Sequence, residues 1–411
     1  MARNDQLFVG LDLGSTKTCV LICRPGEGGK LQVAGFGVAE SKGWRKSVIV
    51  NLDLTVVALK KAVEAAEAAA GVSIASAYVG VAGTHIKGLT SRGAVALSKT
   101  ASGTAAVTPE DIVKVLQAAR AVTLPPDREI VYLEPQDYVL DAHEGIRNPV
   151  GMSGSRLEAN VHLITGSTTA LRNVVTAANL VGIKVLDTVY EPFAAAAACL
   201  TADERELGAA LVDIGGGATD LIVYVEGSVR HTASIPVGGE HFTNDIAVGL
   251  RTTIPDAERV KRSWAERELA NLPGGMLEVP SVGERPARMV SYEVLDEIIQ
   301  PRTQELLELI RDELERCGHM RQLGAGVVLA GGGAKQGGLM RLAEQTLGLP
   351  VRLGRCAGLD NMGENLPEPE YAALVGLVVY ANRRRLLRDS QDTGFVAKLW
   401  RALRGKNDAA S

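Results

Sequence analysis

The chain twice lays down one phrase: an apolar run ending on an aspartate, a turn of small residues, and a second apolar run. The first copy begins Leu7-Phe8-Val9-Gly10-Leu11, turns through Asp12-Leu13-Gly14-Ser15-Thr16-Lys17-Thr18, and resumes with Cys19-Val20-Leu21-Ile22-Cys23. The second begins Ala209-Ala210-Leu211-Val212, turns through Asp213-Ile214-Gly215-Gly216-Gly217-Ala218-Thr219-Asp220, and resumes with Leu221-Ile222-Val223-Tyr224-Val225. Each copy reads as strand, tight turn, strand. Glycines bring bare N–H groups close to a ligand, and successive N–H groups make a concave anion site. An acid at the head of such a turn makes sense when Mg2+ lies between it and a phosphate. A single copy is equally compatible with a hairpin that binds nothing. Repetition predicts two similar halves facing each other, each offering one acidic phosphate hairpin. Neither copy is a Walker loop or a dinucleotide fingerprint, because no Gly-Lys-Ser/Thr ending is present and a strand, not a helix, follows.

At 411 residues the chain is too long for one ordinary core. The net charge of −4 argues against bulk nucleic-acid binding, but the charge is uneven. Residues 383–406 carry eight basic and two acidic side chains, which leaves −10 for the remainder and marks the tail as a separate interaction segment. Cys19, Cys23, Cys199, Cys317 and Cys356 sit in or beside apolar runs with no Cys-x-x-Cys spacing, as expected of reduced core thiols. The N-terminus lacks the apolar core of a signal peptide, and no apolar run approaches the ~20 residues needed to span a bilayer.

Between the two hairpins the pattern predicts a strand over 31–38, a helix over 55–70 stopped by Gly71, and a strand over 75–82. From 84 to 159 the texture changes to a small α/β insert. It holds short strands broken at Gly88 and Gly93, a helix started by Thr108-Pro109-Glu110-Asp111, and a strand over 129–140. Glu191-Pro192-Phe193 ends a strand and opens an Ala-rich helix, which places an acid where it could take part in chemistry or merely complement the helix dipole. Further on come helices opening at Gly238 and Pro255, a β pair around Gly283, two helices over 291–299 and 301–316, and a strand running into Gly331-Gly332-Gly333. The last long helix is expected over 370–388. Then Asp389-Ser390-Gln391-Asp392-Thr393-Gly394 forms a polar linker. On a wheel of about 100° per residue, Phe395, Val396, Leu399, Trp400 and Leu403 share an arc of roughly 140°, opposite Lys398, Arg401 and Arg404. A short basic amphipathic helix with Phe and Trp on its apolar face is expected to lie on anionic lipid.

The three glycine turns, in this order, resemble those of the actin/Hsp70/sugar-kinase superfamily. Within it, three stretches are most similar to the bacterial cell-division FtsA family. They are Asn148-Pro149-Val150-Gly151-Met152-Ser153-Gly154 with Arg156-Leu157-Glu158-Ala159 and Val161-His162 after it, Pro236-Val237-Gly238-Gly239-Glu240-His241-Phe242-Thr243-Asn244-Asp245-Ile246, and the basic tail. The resemblance implies an α/β, actin-like (ribonuclease H-like) duplicated ATPase fold. Its subdomains would be 1A at 1–83 and 160–194, a 1C insert at 84–159, 2A at 195–240 and 311–388, and 2B at 241–310. A linker at 389–394 and a membrane-targeting helix at 395–406 would follow. It also implies ATP with Mg2+. Gly14, Ser15, Thr16, Lys17, Gly215, Gly216, Gly217, Ala218, Thr219 and Gly239 would surround the phosphates. Asp12 and Asp213 would hold the metal largely through water, Glu258 and Lys261 would meet the ribose, and Gly331, Gly332 and Gly333 the adenosine. Glu191 would orient water if hydrolysis occurs. The implied protein is a cytoplasmic adaptor on the inner membrane at the division site. It would self-assemble into actin-like filaments, tether FtsZ through its C-terminal peptide, and recruit later division proteins through the insert. Arg285, Arg288 and Arg302 are candidates for that peptide. The alternatives are an actin-like component of pilus assembly and a metabolite kinase of the same fold.

Overall fold

The computed structural model describes residues 7–45, 47–98, 105–269, 275–283 and 285–389. The amphipathic segment at 395–406 and the linker before it lie outside these residues.

The repeated phrase builds two sheets with one plan. In the first, Phe8–Leu13 pairs antiparallel with Lys17–Pro25, which pairs antiparallel with Leu31–Glu40. On its other side Phe8–Leu13 runs parallel to Ser76–Val81, and that strand runs parallel to Lys184–Tyr190. In the second, Ala209–Ile214 pairs antiparallel with Thr219–Val225, and that strand with Ser228–Ile235. Gly326–Ala330 and Val351–Leu353 add parallel strands on the other side. Even the turns close alike. The Gly14 N–H donates to the Lys17 carbonyl at 3.1 Å, and the Gly215 N–H to the Ala218 carbonyl at 2.9 Å. The first sheet gains a sixth strand, Leu359–Asp360, from late in the chain.

Two helices cross between the sheets. Glu191–Cys199 and Ala372–Asp389 carry small and aliphatic side chains into a core shared with Leu21, Leu31, Leu211 and Ile222. Gly376 makes the crossing possible, since a Cβ there would run into the Ala194 carbonyl oxygen. Helix Leu52–Ala70 starts at Asn51, whose side chain accepts from the Leu54 N–H, and ends on Gly71 in the left-handed region.

The insert is a four-stranded antiparallel sheet of His143–Ile146, Arg128–Leu140, Arg156–Ser167 and Lys87–Ala96, covered by helix Pro109–Arg120. The helix starts at Thr108 as expected, and Thr108 and Asp111 cap it reciprocally. Two expectations change here. Lys87–Ala96 is one strand and not short pieces, because Gly93 lies under the helix, where any Cβ would meet the backbone at Val115 and Ala119. Arg156–Ser167 runs unbroken across position 159.

The segment over 239–316 forms its own layer. Helices Gly239–Leu250 and Ile254–Leu269 pack with the Met276–Val279 and Arg288–Ser291 pair. One 25-residue helix, Tyr292–Arg316, replaces the two helices expected around Pro301. Proline removes one ladder bond. However, Leu295 and Ile299 before it and Leu306, Leu307, Ile310 and Leu314 after it enter the same core, which holds both halves on one axis.

Candidate functional site

The two turns meet tip to tip. Thr16 lies against Gly216 and Ser15 against Gly217, too close for a Cβ at either glycine. Ser47, in the left-handed region at φ 59, touches Gly83 and Gly217 and closes the same spot. Between the halves lies a cleft of about 770 Å3. Its walls carry Asp12, Gly14, Ser15, Thr16 and Lys17 from the first turn, and Asp213, Gly215, Gly216, Gly217 and Ala218 from the second. Glu191, Gly239, Glu258, Lys261, Gly331, Gly332 and Gly333 complete it. Thr219 is not on the wall: its side chain is fully buried and donates to the Val237 carbonyl at 2.8 Å.

Burial governs the electrostatics. It pushes Asp213 up to about 7, with the nearby charges of Asp220 and Asp12 adding to it. It also pushes Asp12 up to about 6 against the pull of Lys17. Burial raises Asp220 to about 6 even though the Gly83 N–H donates to it at 3.2 Å. Glu191, lying over Gly80, is held well above the usual carboxylate range by burial and by Asp12, Asp213 and Asp220. Four carboxyl groups that resist ionising together favour the approach of positive charge. Among the described residues, no group of three or more His, Cys, Asp or Glu could hold a metal ion by itself. Mg2+ takes one or two carboxylates and fills the rest of its shell with water and phosphate oxygens. Asp12 and Asp213 fit that part.

Several side chains are engaged differently from expectation. The Lys17 amine lies 3.0 Å from Glu370 and over the Tyr371 ring. Glu258 accepts from the Thr243 hydroxyl at 2.6 Å and pairs with Lys261 at 2.7 Å and Arg262 at 2.9 Å. Burial raises Glu258, but these partners outweigh it and hold the group below its ordinary value. Lys261 also donates to the Gly239 carbonyl. The Gly239 and Glu240 N–H groups bond to the Gly215 and Gly216 carbonyls, so the helix start braces the second turn. Glu370, Tyr371, Lys335, Gln336, Ser47, Trp44 and His85 also line the cleft and carried no local signal. Glu370 and Tyr371 merely precede the last helix in sequence.

Away from the cleft, Arg285 and Arg288 rim a smaller pocket of about 340 Å3 with Arg251. Arg302 is not part of it. Its guanidinium is held by Asp245 at 2.7 and 3.1 Å and by Glu305.

Two sheets of one topology, joined by crossing helices over a cleft headed by paired turns, define an actin-like protein. Solved structures agree on the fold. The PilM-PilN type IV pilus biogenesis complex aligns with TM-score 0.64 at 15% identity, over 91% of this chain and 98% of that one. MreB5 of Spiroplasma citri bound to ADP aligns with TM-score 0.54 at 14% identity, over 94% and 99%. Sequence relatives go further. The family description "Cell division protein FtsA" matches residues 210–376, and "SHS2 domain inserted in FTSA" matches residues 83–165. The chain is 42% identical to the cell division protein FtsA of Pseudomonas aeruginosa over 93% of its length and 91% of that protein's. It is 38% identical to that of Neisseria meningitidis, over 92% and 91%, and 36% identical to that of Escherichia coli K12, over 94% and 92%. The chain belongs to the FtsA family of cell division proteins.

Proposed function

We propose that the cleft binds Mg·ATP and that nucleotide binding controls assembly of a membrane-bound division adaptor. The observation that carries this reading is the meeting of two Asp-headed turns, closed by the same hydrogen bond, over one pocket of buried, mutually repelling carboxyl groups. The N–H groups of residues 14–17 and 215–218 would receive phosphate oxygens. Mg2+ would neutralise phosphate charge while Asp12 and Asp213 orient its water. Glu258 and Lys261 form the wall for the ribose, and 331–333 for the adenosine. Glu191 is placed to hold a water molecule, and Lys17 would exchange Glu370 for a phosphate.

The subdomains would be those expected from the resemblance, with the insert reaching past 159, since the match to the inserted domain covers 83–165 and strand Arg156–Ser167 belongs to its sheet. Copies of the chain would assemble as filaments and carry FtsZ by its C-terminal peptide at the 241–310 layer, where Arg285 and Arg288 share a pocket. The insert would meet later division proteins. No described helix is long and apolar enough to cross a membrane. The 395–406 segment would instead lie on the cytoplasmic face of the inner membrane at the division site, with filament avidity strengthening a weak single anchor. Pilus assembly is the less supported reading, because the likeness to PilM-PilN is one of fold while the FtsA relatives match nearly the whole chain.

The test is titration of the full chain with Mg·ATP, followed by capture of an FtsZ C-terminal peptide. Asp213→Ala should abolish nucleotide binding, and unchanged affinity would refute the assignment of the turns. Failure to retain the peptide would remove the adaptor reading.

A further inference from the structure

Gln336 lines the cleft just past the third glycine turn, yet its amide Nε2 is buried with no hydrogen-bond partner. A buried amide nitrogen that donates to nothing is costly, so such a group is either strained or built for something that arrives later. Its position is well fixed. The Gly331 N–H bonds to the Pro369 carbonyl at 2.9 Å, Gly333 packs on Ile214, and the Gln336 N–H reaches the Gly333 carbonyl at 3.1 Å. The neighbouring charge is spent: Lys335 pairs with Glu368 at 3.1 Å and Glu370 at 3.6 Å. Among the described residues on the cleft wall, Gln336 is the one carboxamide. Trp44 Nε1 and His85 Nδ1 are also buried without partners, but each offers a single atom and belongs to the first half.

We propose that Gln336 reads the nucleotide base and selects adenine over guanine, an inference that rests on the ATP reading above. A carboxamide presents a donor and an acceptor side by side. Adenine presents the matching pair on one edge, the N6 amino group beside the N7 acceptor. Guanine has two acceptors there, N7 and O6, so the amide carbonyl would be left facing O6 unpaired. A site built around such a bond rejects the analogue that cannot make it.

The experiment competes Mg·ATP, Mg·GTP and Mg·7-deaza-ATP, which lacks N7, against a fluorescent ATP analogue on the full chain. The wild type should prefer ATP over GTP by about tenfold or more and should bind 7-deaza-ATP more weakly than ATP. Gln336→Leu should weaken ATP about tenfold, change GTP by less than about threefold, and lose the distinction between ATP and 7-deaza-ATP. Gln336→Met, close in volume, serves as the second variant, and both should melt with the wild type when nucleotide is absent. If either folded variant keeps the wild-type ratio of ATP to GTP, the inference is overturned. A wild type that binds neither nucleotide overturns the ATP reading itself, which is a distinct result.

Discussion

Asp213 is where a single residue most affects the whole. Its carboxyl titrates near about 7 when folded, against 3.8 when free. Between those values the folded chain holds a proton that the unfolded chain has lost, so stability falls as pH rises. The contribution is complete below about pH 4 and gone once pH passes about 7. Asp12, raised to about 6, acts in the same sense. Asp213→Asn cannot ionise. Without nucleotide it should therefore melt with the wild type near pH 4 and increasingly above it toward pH 8, as read by calorimetry across that range. Saturating Mg·ATP should reverse the order, because the ionised acid then faces a cation. A flat difference across pH would mean that Asp213 is not the group that titrates.

At the scale of elements, the crossing of Glu191–Cys199 with Ala372–Asp389 sets the distance between the halves. Ala194, Ala195 and Ala196 are fully buried, and Gly376 admits no Cβ. Overpacking of such a contact costs about 1–3 kcal/mol. Gly376→Ala should lower unfolding free energy by at least about 2 kcal/mol in a denaturant titration, since the obstruction is backbone and cannot rotate away. The run of alanines was visible in the sequence as a helix, but its reason was not. Only the partner helix, almost two hundred positions later, explains why nothing larger fits. Pro301 teaches the converse. It looked like a helix boundary, and the shared core on both sides of it decided otherwise.

At the scale of the molecule, the insert does not hang from the first half alone. The Gln136 amide donates to the Val229 carbonyl at 2.8 Å, and the Ser228 hydroxyl donates to the Gln136 carbonyl at 2.9 Å. His162 meets Thr232 at 2.8 Å, and Arg230 pairs with Asp137 at 3.0 Å. Rotation of one half against the other must carry the insert along or break these bonds. Gln136→Ala combined with Arg230→Ala should speed amide exchange in strand Ser228–Ile235 several-fold, by mass spectrometry, with little change in strand Phe8–Leu13. Removal of residues 394–411 should release the protein from membranes into the soluble fraction of cells, and persistent membrane residence would refute the anchor.

The sequence alone determined the duplication, because an apolar run, an acid and a small-residue turn form a local signal that needs no distant partner. For the same reason it located the glycine turns, the capped helix at Thr108, and the acids and glycines of the cleft wall. Only the tertiary structure decided which groups meet there. Lys17 reaches Glu370 across 353 positions, Thr219 turns inward onto Val237, and the Gln336 Nε2 is left without a partner at the wall. Each of these outcomes depends on how two sheets, folded from distant stretches, are set against each other, and no local pattern encodes that distance.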